Sequence, residues 1–596
     1  MISQEMRWDL SQLVEVDDPD RIAGKIKESV SASGEFRSKH QGKIESYNAR
    51  EVLDLIRELE RLELEHEGYF MYASLMYSAD MTNETAKQLH ETSRNCGAEV
   101  GQNLAFVELE LGRLLKSRPD LVQDPVLKDY RHFLERILRR VPHMLSEELE
   151  RLIIVKDMNG IEAWNQLHGD WLATRTFEIE IDGKKQVLPY GKMVGLYESP
   201  NRDLRRRAHE TVYSGLGKDH IIWSSALRAV CSDHLQVCKL RQWPSPMTQS
   251  LIDNDVDEEA IHALMKTIEK NVKVYRSYLE LKAKAMGLKR LGNWDITAPL
   301  PDLPDKTYTW DEAREIILDA YSSFDEEAGN YIREMYDRRH IDAEVRNGKR
   351  SGAFCSTWFA GKSAYILQSF NGTMGDVFTQ AHELGHALHA YLGSRAQTPV
   401  NYRIGSCIAE TGSIFGELLL TEKLLSKASS AAERRGILAK VLDEFGEAAF
   451  QVSTRVWFET MLYEAISNGE HLDGETVSQL WLKARDKMYG DSVEWLPEMK
   501  WWWTMKLHFY LPNYRYYNYP YVYAQLFVYA MYRLYKEQGK AFVPVLKSLL
   551  AAGSSKSPRE LAAVVGFDVT KESSWQKGID QFAEFAKMFK KTLEDK

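Results

Sequence analysis

The segment TQAHELGHALHAYL, from Thr379 to Leu392, contains three histidines and one glutamate in a largely apolar stretch. His382 and His386 are four residues apart, so on an α-helix both imidazoles lie on one face, where they can bind the same metal ion. Glu383 leaves such a helix about 100° away from His382, which lets it flank a metal without ligating it. A general base must lie in this position to take a proton from a metal-activated water.

A catalytic zinc site usually has three protein ligands and leaves a fourth position for water. The stretch from Ala387 to Ala409 contains no Asp or Glu, and the first carboxylate after it is Glu410, in SCIAETGSIFGELLL. Burying an unpaired carboxylate among these apolar residues would be costly, whereas metal binding compensates that cost. The pattern therefore predicts His382, His386 and Glu410 as the ligands of one Zn²⁺ per chain.

Three neighbouring residues have alternative interpretations. Glu417 lies seven residues after Glu410 on the same helix face, and is either a hydrogen-bond partner of a ligand histidine or part of a peripheral ion pair. His389 could turn toward the metal, but a histidine packed in the core is the preferred interpretation. Cys407 is a weaker ligand candidate, because a carboxylate better serves an open hydrolytic site. The alternative to the whole metal site is a core helix with hydrogen-bonded histidines.

Composition and charge exclude several classes of protein. The chain has 596 residues, 44% hydrophobic and 28% charged, enough for a large core and more than one lobe. Its net charge of −10 is spread along the sequence, which argues against a nucleic-acid partner, since such proteins need a concentrated basic surface. Five cysteines without a CxxC pair indicate a reducing compartment. Without an apolar leader or an apolar stretch of about 18 residues, we expect a cytoplasmic protein with no membrane partner.

The elements that must position these residues are predicted to be mostly helices. Residues 49–80 place apolar side chains near a 3.6-residue period, and similar patterns recur along the chain. Phe177, Ile179 and Ile181 alternate with polar residues before Asp182-Gly183, which predicts a β-hairpin. A second β signal covers residues 352–359 and 364–373, directly before the histidine-rich segment. We predict a mainly α protein with small sheets beside the histidine-rich helix, divided into an N-terminal helical lobe (1–195, with the hairpin near its end) and a catalytic domain (196–596).

The motifs HELGHALH at 382–389 and IAETGS at 408–413 resemble those of the M3 metallopeptidases, the family of thimet oligopeptidase and oligoendopeptidase F. The likeness is specifically to the oligoendopeptidase F branch. WDLSQL near the start, LYESPNRDLRRRAHE at 196–210, NWDITAPL at 293–300 and the block at 348–389 resemble that branch in the same order. The resemblance therefore covers most of the chain.

The resemblance implies a bilobed helical protein with a deep substrate channel and one zinc ion on the channel floor. It implies endopeptidase action on short, unstructured peptides, with Glu383 as the general base. It also implies that the strand from Tyr365 to Asn371 is the sheet edge that pairs with the substrate backbone, a mode of binding that tolerates many peptide sequences.

The resemblance further implies a histidine and two tyrosines near the C-terminus that bind the substrate and the tetrahedral oxyanion. His508 matches the histidine. The tyrosines are spaced by about one helical turn, as Tyr517 and Tyr521 are, and YVYAQ at 521–525 resembles the end of this block in relatives. The same spacing occurs in two other pairs, Tyr510 with Tyr514 and Tyr519 with Tyr523, and aromatic packing is the preferred role for tyrosines outside the favoured pair.

The predicted activity is zinc-dependent hydrolysis of internal peptide bonds in oligopeptides, with a metal-activated water and Glu383 as the base. Two alternatives are open at this point: a zinc carboxypeptidase on a helical scaffold, and a non-catalytic protein that binds peptides. Glu383 argues against the second alternative, because a protein that only binds peptides needs no base beside the metal.

Overall fold

The computed structural model describes residues 6–16, 18–301, 303 and 306–594, and most of these residues are helical. The helices before residue 300 are α1 (Pro19–His40), α2 (Ala49–Ala79), α3 (Glu84–Leu104), α4 (Phe106–Ser117), α5 (Arg131–Arg140), α6 (Glu147–Asn159), α7 (Glu162–Thr174), α8 (Tyr190–Gly195), α9 (Arg202–Gly217), α10 (His220–Arg241), α11 (Thr248–Asp253) and α12 (Glu258–Ala285). The later helices are α13 (Trp310–Phe324), α14 (Glu326–Asp337), α15 (Met374–Ala396), α16 (Pro399–Tyr402), α17 (Ser406–Ala409), α18 (Thr411–Lys427), α19 (Ala431–Phe445), α20 (Val452–Ser467), α21 (Gly474–Tyr489), α22 (Tyr519–Gln538), α23 (Val543–Ala551), α24 (Pro558–Val564) and α25 (Glu572–Glu594). The strands are short: β1 (Thr176–Ile181), β2 (Lys184–Pro189), β3 (Leu291–Gly292), β4 (Ile341–Asp342), β5 (Phe354–Trp358), β6 (Ser363–Leu367) and β7 (Val493–Glu494). The mainly α class predicted from the sequence is confirmed.

The chain folds into two units, each assembled from separate segments. The first unit consists of Met1–Val141, Asp305–Lys427 and Met531–Asp568, and the second of Pro142–Pro304, Ala428–Ala530 and Val569–Lys596. The predicted boundary between residues 195 and 196 falls inside the second unit, so the division into a lobe and a catalytic domain stays a prediction. Within the described ranges, no helix combines the length and the apolar character that a membrane span requires.

The N-terminal helices of the first unit enclose an apolar core. α2 begins with a capping box, in which the Asn48 side chain accepts from the Glu51 N–H and the Glu51 carboxylate accepts from the Asn48 N–H. The 3.6-residue period then turns one face of α2 inward against α4 and α5. The core residues of these three helices include Val52, Leu53, Leu55, Ile56, Leu111, Leu114, Leu134 and Ile137.

A three-stranded sheet in the first unit has the order β4, β6, β5. β6 pairs with β4 in parallel and with β5 in antiparallel register. The β5–β6 hairpin confirms the β signal predicted directly before the histidine-rich segment. All five residues of β6 are buried, as expected for a central strand covered on both faces.

One prediction about this sheet is wrong. The strand from Tyr365 to Asn371 is not an edge, because β4 and β5 occupy both of its sides. Beyond β6, the N–H groups of Gln368 and Phe370 also donate to carbonyls on the β4 side. The edge strands of this sheet are β4 and β5, and β5 directly precedes β6 in the chain.

α15 carries the histidine-rich segment and packs against β5, β6, α18 and α23. It begins with a capping box of Thr373 and Asp376. Its side chains are buried on nearly all faces, which is typical of a helix in the interior of a protein. Beyond its C-terminal end, Gln397 Nε2 donates to the Ala551 carbonyl of α23 at 3.0 Å. The metal-binding candidates therefore lie on a helix held by several elements of the first unit.

The second unit contains the predicted hairpin and a long interrupted helix. β1 and β2 pair through Asp182-Gly183, whose φ angles of 50° and 75° are those of a two-residue type I′ turn. α19 continues into α20 through a π-helical segment, Gly446–Gln451. α25 packs on α19 and on α12.

Candidate metal centre

α15 and α18 cross at two glycines, and this brings the predicted ligands together. A Cβ atom added at Gly385 would lie 2.3 Å from the Gly412 oxygen, and one added at Gly412 would lie 2.4 Å from the Gly385 oxygen. Carbon and oxygen atoms do not approach so closely, so the crossing requires glycine at both positions. Consequently His382 and His386 of α15 face Glu410, the residue directly before α18.

The donor atoms of His382, His386 and Glu410 all lie within 4.8 Å of one another. Glu410 Oε2 is 3.4 Å from His382 Nε2 and 3.2 Å from His386 Nε2. Two ligands bound to one zinc ion at about 2.0–2.1 Å with tetrahedral angles are about 3.4 Å apart, so the three donors fit a zinc ion. Among the described residues, no other group of His, Cys, Asp and Glu side chains has metal-binding geometry.

Two residues of α18 orient the donors. The Nδ1 atom of His382 is 2.5 Å from Glu417 Oε1, which leaves Nε2 directed at Glu410. Ser413 Oγ donates to Glu410 Oε2 at 2.6 Å. Glu417 is therefore a hydrogen-bond partner of a ligand-position histidine, the first of its two predicted interpretations. The role of Ser413 is not among the predictions from the sequence. Its spacing of one helical turn from Glu410 could have indicated this hydrogen bond.

The charges of this cluster favour a cation. Burial would lower the pKa of His382, but the hydrogen bond and charge of Glu417 and the charges of Glu410 and Glu383 raise it to about 9. Burial would raise the pKa of Glu410, but the hydrogen bond to His386 and the charges of both histidines lower it to about 2. The carboxylates thus stabilise positive charge between these side chains, as a binding site for a divalent cation must.

Glu383 lies beside the donors, in the wall of a cavity of about 470 Å³. Its side chain is 7% exposed, and this burial raises its pKa. His386 lines the same cavity, so the carboxylate and one donor face the same space. The remaining walls come largely from β5 and from the α16 region, with Phe354, Cys355, Thr357, Tyr402, Arg403 and Ile404.

His389 and Cys407 lie outside the group of three donors. His389 is 2% exposed, and burial lowers its pKa to about 3, so its imidazole is neutral. It lies in the crossing of α15 and α18, where a Cβ added at Gly412 would be 3.1 Å from the His389 Cβ. His389 also lines the cavity that Glu383 and His386 line, so the preferred interpretation of a hydrogen-bonded core histidine stays a prediction. Cys407 is fully buried.

His508, Tyr517 and Tyr521 lie in the second unit and contact one another. The ring centroids of His508 and Tyr517 are 4.6 Å apart, and the hydroxyls of Tyr517 and Tyr521 are 2.9 Å apart. Burial, together with the charges of Lys506 and Arg455, lowers the pKa of His508 to about 4, so its imidazole is neutral at pH 7. Tyr517 thus contacts both His508 and Tyr521, so the three residues form one polar and aromatic group.

Burial separates the other tyrosines of this segment from that group. In both alternative pairs at least one ring is fully buried: Tyr510 in the first, and Tyr519 and Tyr523 in the second. Tyr517 with Tyr521 is the pair in which neither ring is buried, and Tyr521 is 42% exposed. The choice of Tyr517 with Tyr521 stays a prediction.

Comparison with known proteins adds the family. The sequence profile of Peptidase family M3 matches residues 196–581, and that of Oligopeptidase F matches residues 119–177. The chain is 26% identical over 521 residues to oligopeptidase PepF of Bacillus subtilis, covering 86% of this chain and 77% of that protein. It is 26% identical over 594 residues to group B oligopeptidase PepB of Streptococcus agalactiae, covering 96% and 94%.

The fold is similar to that of a solved structure as well. Oligoendopeptidase-F from Enterococcus faecium gives a TM-score of 0.70 at 22% identity, over 97% of this chain and 100% of that chain. The M3 profile spans more than half of the sequence and includes the cluster of His382, His386 and Glu410. The chain therefore belongs to peptidase family M3, in its oligopeptidase F branch, and is a metallopeptidase.

Proposed function

We propose that this metallopeptidase is a zinc-dependent endopeptidase that hydrolyses internal bonds of short, unstructured oligopeptides. The observation that carries the proposal is the arrangement of His382, His386 and Glu410, whose donor atoms lie within 4.8 Å of one another beside the buried carboxylate of Glu383. The relatives named as oligopeptidases support the class of substrate.

In this proposal His382, His386 and Glu410 hold the zinc ion. A bound zinc ion supplies Lewis-acid chemistry, which makes water more acidic and polarises the peptide carbonyl. Glu383 accepts the proton of the attacking water and then delivers it to the nitrogen of the leaving amine. Glu383 follows His382 in the sequence, but its side chain lies in the cavity wall and not among the three donors. This position allows it to carry a proton between water and substrate.

The Glu417 contact gives a prediction about metal affinity. Replacing Glu417 by alanine is expected to weaken zinc binding by about 10- to 100-fold, because the His382 ring loses the partner that orients its Nε2 atom. Competition with a fluorescent chelator measures the dissociation constant. The matched control is Glu422→Ala on the same helix. Glu422 binds Tyr532 and Lys536, and neither of these residues is a proposed zinc ligand. Equal affinities of the two variants would contradict the role of Glu417.

We place the substrate backbone along the edge of β5. β5 pairs with β6 on one side, and its residues line the same cavity as Glu383. Backbone hydrogen bonds to an edge strand bind many peptide sequences with little discrimination. The hairpin end is fixed by Glu67, whose carboxylate accepts from the N–H groups of Phe359 and Ala360 at 2.8 and 2.9 Å. A fixed edge binds an extended peptide without first having to become ordered.

We assign substrate binding and oxyanion stabilisation to His508, Tyr517 and Tyr521, as the resemblance to the family implies. Their mutual contacts, the neutral imidazole of His508 and the exposed position of Tyr521 support this assignment. A tyrosine hydroxyl or an imidazole N–H that donates to a developing oxyanion contributes roughly 3 kcal/mol to transition-state stabilisation.

Internally quenched peptides, acetylated at the N-terminus and amidated at the C-terminus, test the proposed function directly. We expect cleavage at internal bonds, loss of cleavage after treatment with a zinc chelator, and recovery when zinc is added back. The cleavage sites are identified by mass spectrometry. A library of varied peptides is needed, because backbone recognition predicts broad specificity.

The same experiment separates the two alternatives. A carboxypeptidase requires a free C-terminal carboxylate, so it would leave the blocked peptides intact but shorten the same peptides with free ends. A protein that only binds peptides would leave both sets intact, although it would bind them. Cleavage that survives complete removal of the metal would contradict the zinc mechanism itself.

A further inference from the structure

The chain segment that carries His508 and Tyr517 has little regular structure between the 3₁₀ turn Leu507–Phe509 and helix α22. Arg515 belongs to this segment, and its side chain binds the backbone of earlier residues in it. Its guanidinium donates to the carbonyl oxygens of His508 at 3.1 Å and of Phe509 at 3.0 Å. It also donates to the carbonyl of Leu511 at 2.5 Å. One buried side chain thus holds three successive parts of the backbone around His508.

Glu459 of α20 holds the other end of the segment. One of its carboxylate oxygens accepts from the Tyr516 N–H at 2.8 Å, and Tyr516 has a φ of 53°. A tyrosine in this left-handed conformation costs energy and persists where its surroundings impose it. Glu459 and Arg515 are each 2% exposed, so both groups lie in the interior, where burial raises the pKa of Glu459 and the charge of Arg515 acts against this increase. The turn between Arg515 and Tyr517 is therefore anchored to α20.

We propose that Arg515 is a positioning residue, which fixes His508 and Tyr517 for substrate binding, and that Glu459 anchors the same segment to α20. This inference rests on the proposed function, because it assigns Arg515 an effect through His508 and Tyr517. The guanidinium reaches several carbonyls at once through its planar fork of donors, and an ammonium group on a flexible stem does not reproduce this arrangement. An irregular segment, whose carbonyls are not paired in a helix or a sheet, is ordered by such a side chain.

The arrangement also explains the exposure pattern around the segment. The Arg515 and Glu459 side chains are buried, whereas Tyr517 and His508 are partly exposed and contact each other through their rings. The buried pair therefore supports the segment from the interior side, and the side chains that are proposed to meet the substrate project from the supported backbone. Loss of the support is expected to displace both of them together.

The test combines Arg515→Met with the double variant Arg515→Met/Glu459→Gln. The single variant leaves the Glu459 carboxylate buried without compensation, and the double variant removes both charges while glutamine keeps an acceptor for the Tyr516 N–H. We expect both variants to bind zinc like the wild type and to lose about 10- to 100-fold in kcat, since displacement of a positioned group by about 1 Å has effects of this size. The matched control is Arg276→Met, because Arg276 also donates to backbone carbonyls, those of Met488 and Lys487, but away from this segment.

A readout that does not depend on activity is limited digestion with chymotrypsin. The wild type and the Arg276 variant are expected to resist cleavage between residues 507 and 517, whereas both Arg515 variants are expected to be cleaved there at aromatic residues. If the single variant unfolds as a whole, the double variant decides, because it has no unpaired buried charge. A segment that stays resistant in the double variant would overturn the proposal.

A double-mutant cycle with His508→Ala shows whether Arg515 acts through His508. We expect Arg515→Met to lower kcat by a clearly smaller factor in the His508→Ala background than in the wild-type background, because one of the two groups that it positions is already missing. An equal loss in both backgrounds would show that Arg515 affects the rate by another route and would overturn the positioning role. If the wild type cleaves no peptide, the proposed function fails, while the chymotrypsin digestion still decides whether Arg515 orders the segment.

Discussion

Replacing Glu383 by glutamine is expected to lower kcat for peptide cleavage by about 10²- to 10⁴-fold while the zinc content stays that of the wild type. Glutamine has the size of glutamate and can still form hydrogen bonds, but it does not accept a proton from the attacking water. Glu383 is not one of the three donors, so we expect the loss of its charge to have little effect on the metal affinity. The expected loss is therefore a loss of proton transfer alone.

The measurement pairs steady-state kinetics on a quenched peptide with metal analysis of the same preparation. His386→Ala provides the opposite pattern, because it removes a donor and is expected to lose both zinc and activity. Near wild-type turnover of the Glu383→Gln protein would show that another group is the base. A loss of zinc in that protein would instead show that Glu383 is a metal ligand.

The second large effect is expected from Gly412→Ala, at the crossing of α15 and α18. The added methyl group would lie 2.4 Å from the Gly385 carbonyl oxygen, and a backbone atom in a buried helix does not move aside alone. The two helices must therefore separate, which moves Glu410 away from His382 and His386. Overpacking of this kind destabilises a protein by about 1–3 kcal/mol, and we expect zinc affinity and kcat to fall by more than about tenfold each.

Gly375→Ala, in helix α15 that α18 crosses, is the matched control. Its added methyl group would have Thr373 Oγ1 as nearest neighbour, at an ordinary contact distance of 3.5 Å. This change is expected to leave zinc affinity unchanged and stability equal to or slightly above that of the wild type. Chelator competition measures the zinc affinity of both variants. Equal affinities of the Gly412 variant and the control would contradict the role of the glycine contact in the metal site.

The grouping of His382, His386 and Glu410 is predictable from the sequence because the rules that place them are local. Two histidines at positions i and i+4 face one side of an α-helix whatever that helix packs against. Glu410 is the first carboxylate after a long stretch without one, and Glu417 follows it at helical spacing. The hairpin at Asp182-Gly183 is equally local, since the turn type follows from two residues.

Other features depend on contacts that no local pattern contains. The edge of the sheet was predicted on the wrong strand, because a two-residue strand, β4, comes from elsewhere in the chain and covers β6. The contact of Gly385 with Gly412 depends on how two helices cross, and each glycine alone resembles an ordinary helical residue. The tyrosines between 510 and 523 are alike in composition and spacing, and burial in the folded chain distinguishes them.

The first unit is completed only by a segment from late in the chain, Met531–Asp568. Within it, the Ala551 carbonyl accepts from Gln397, and the Ser554 N–H donates to the Asn401 carbonyl at 2.6 Å, just after the histidine-rich helix. A ribosome therefore releases helices α15 and α18 well before the residues that support them. Until translation passes residue 568, α15, which is buried on nearly all faces in the folded chain, lacks its final partner and is exposed to aggregation. We expect stable metal uptake to be a late event in biosynthesis, so that zinc is acquired by finished chains rather than by nascent ones.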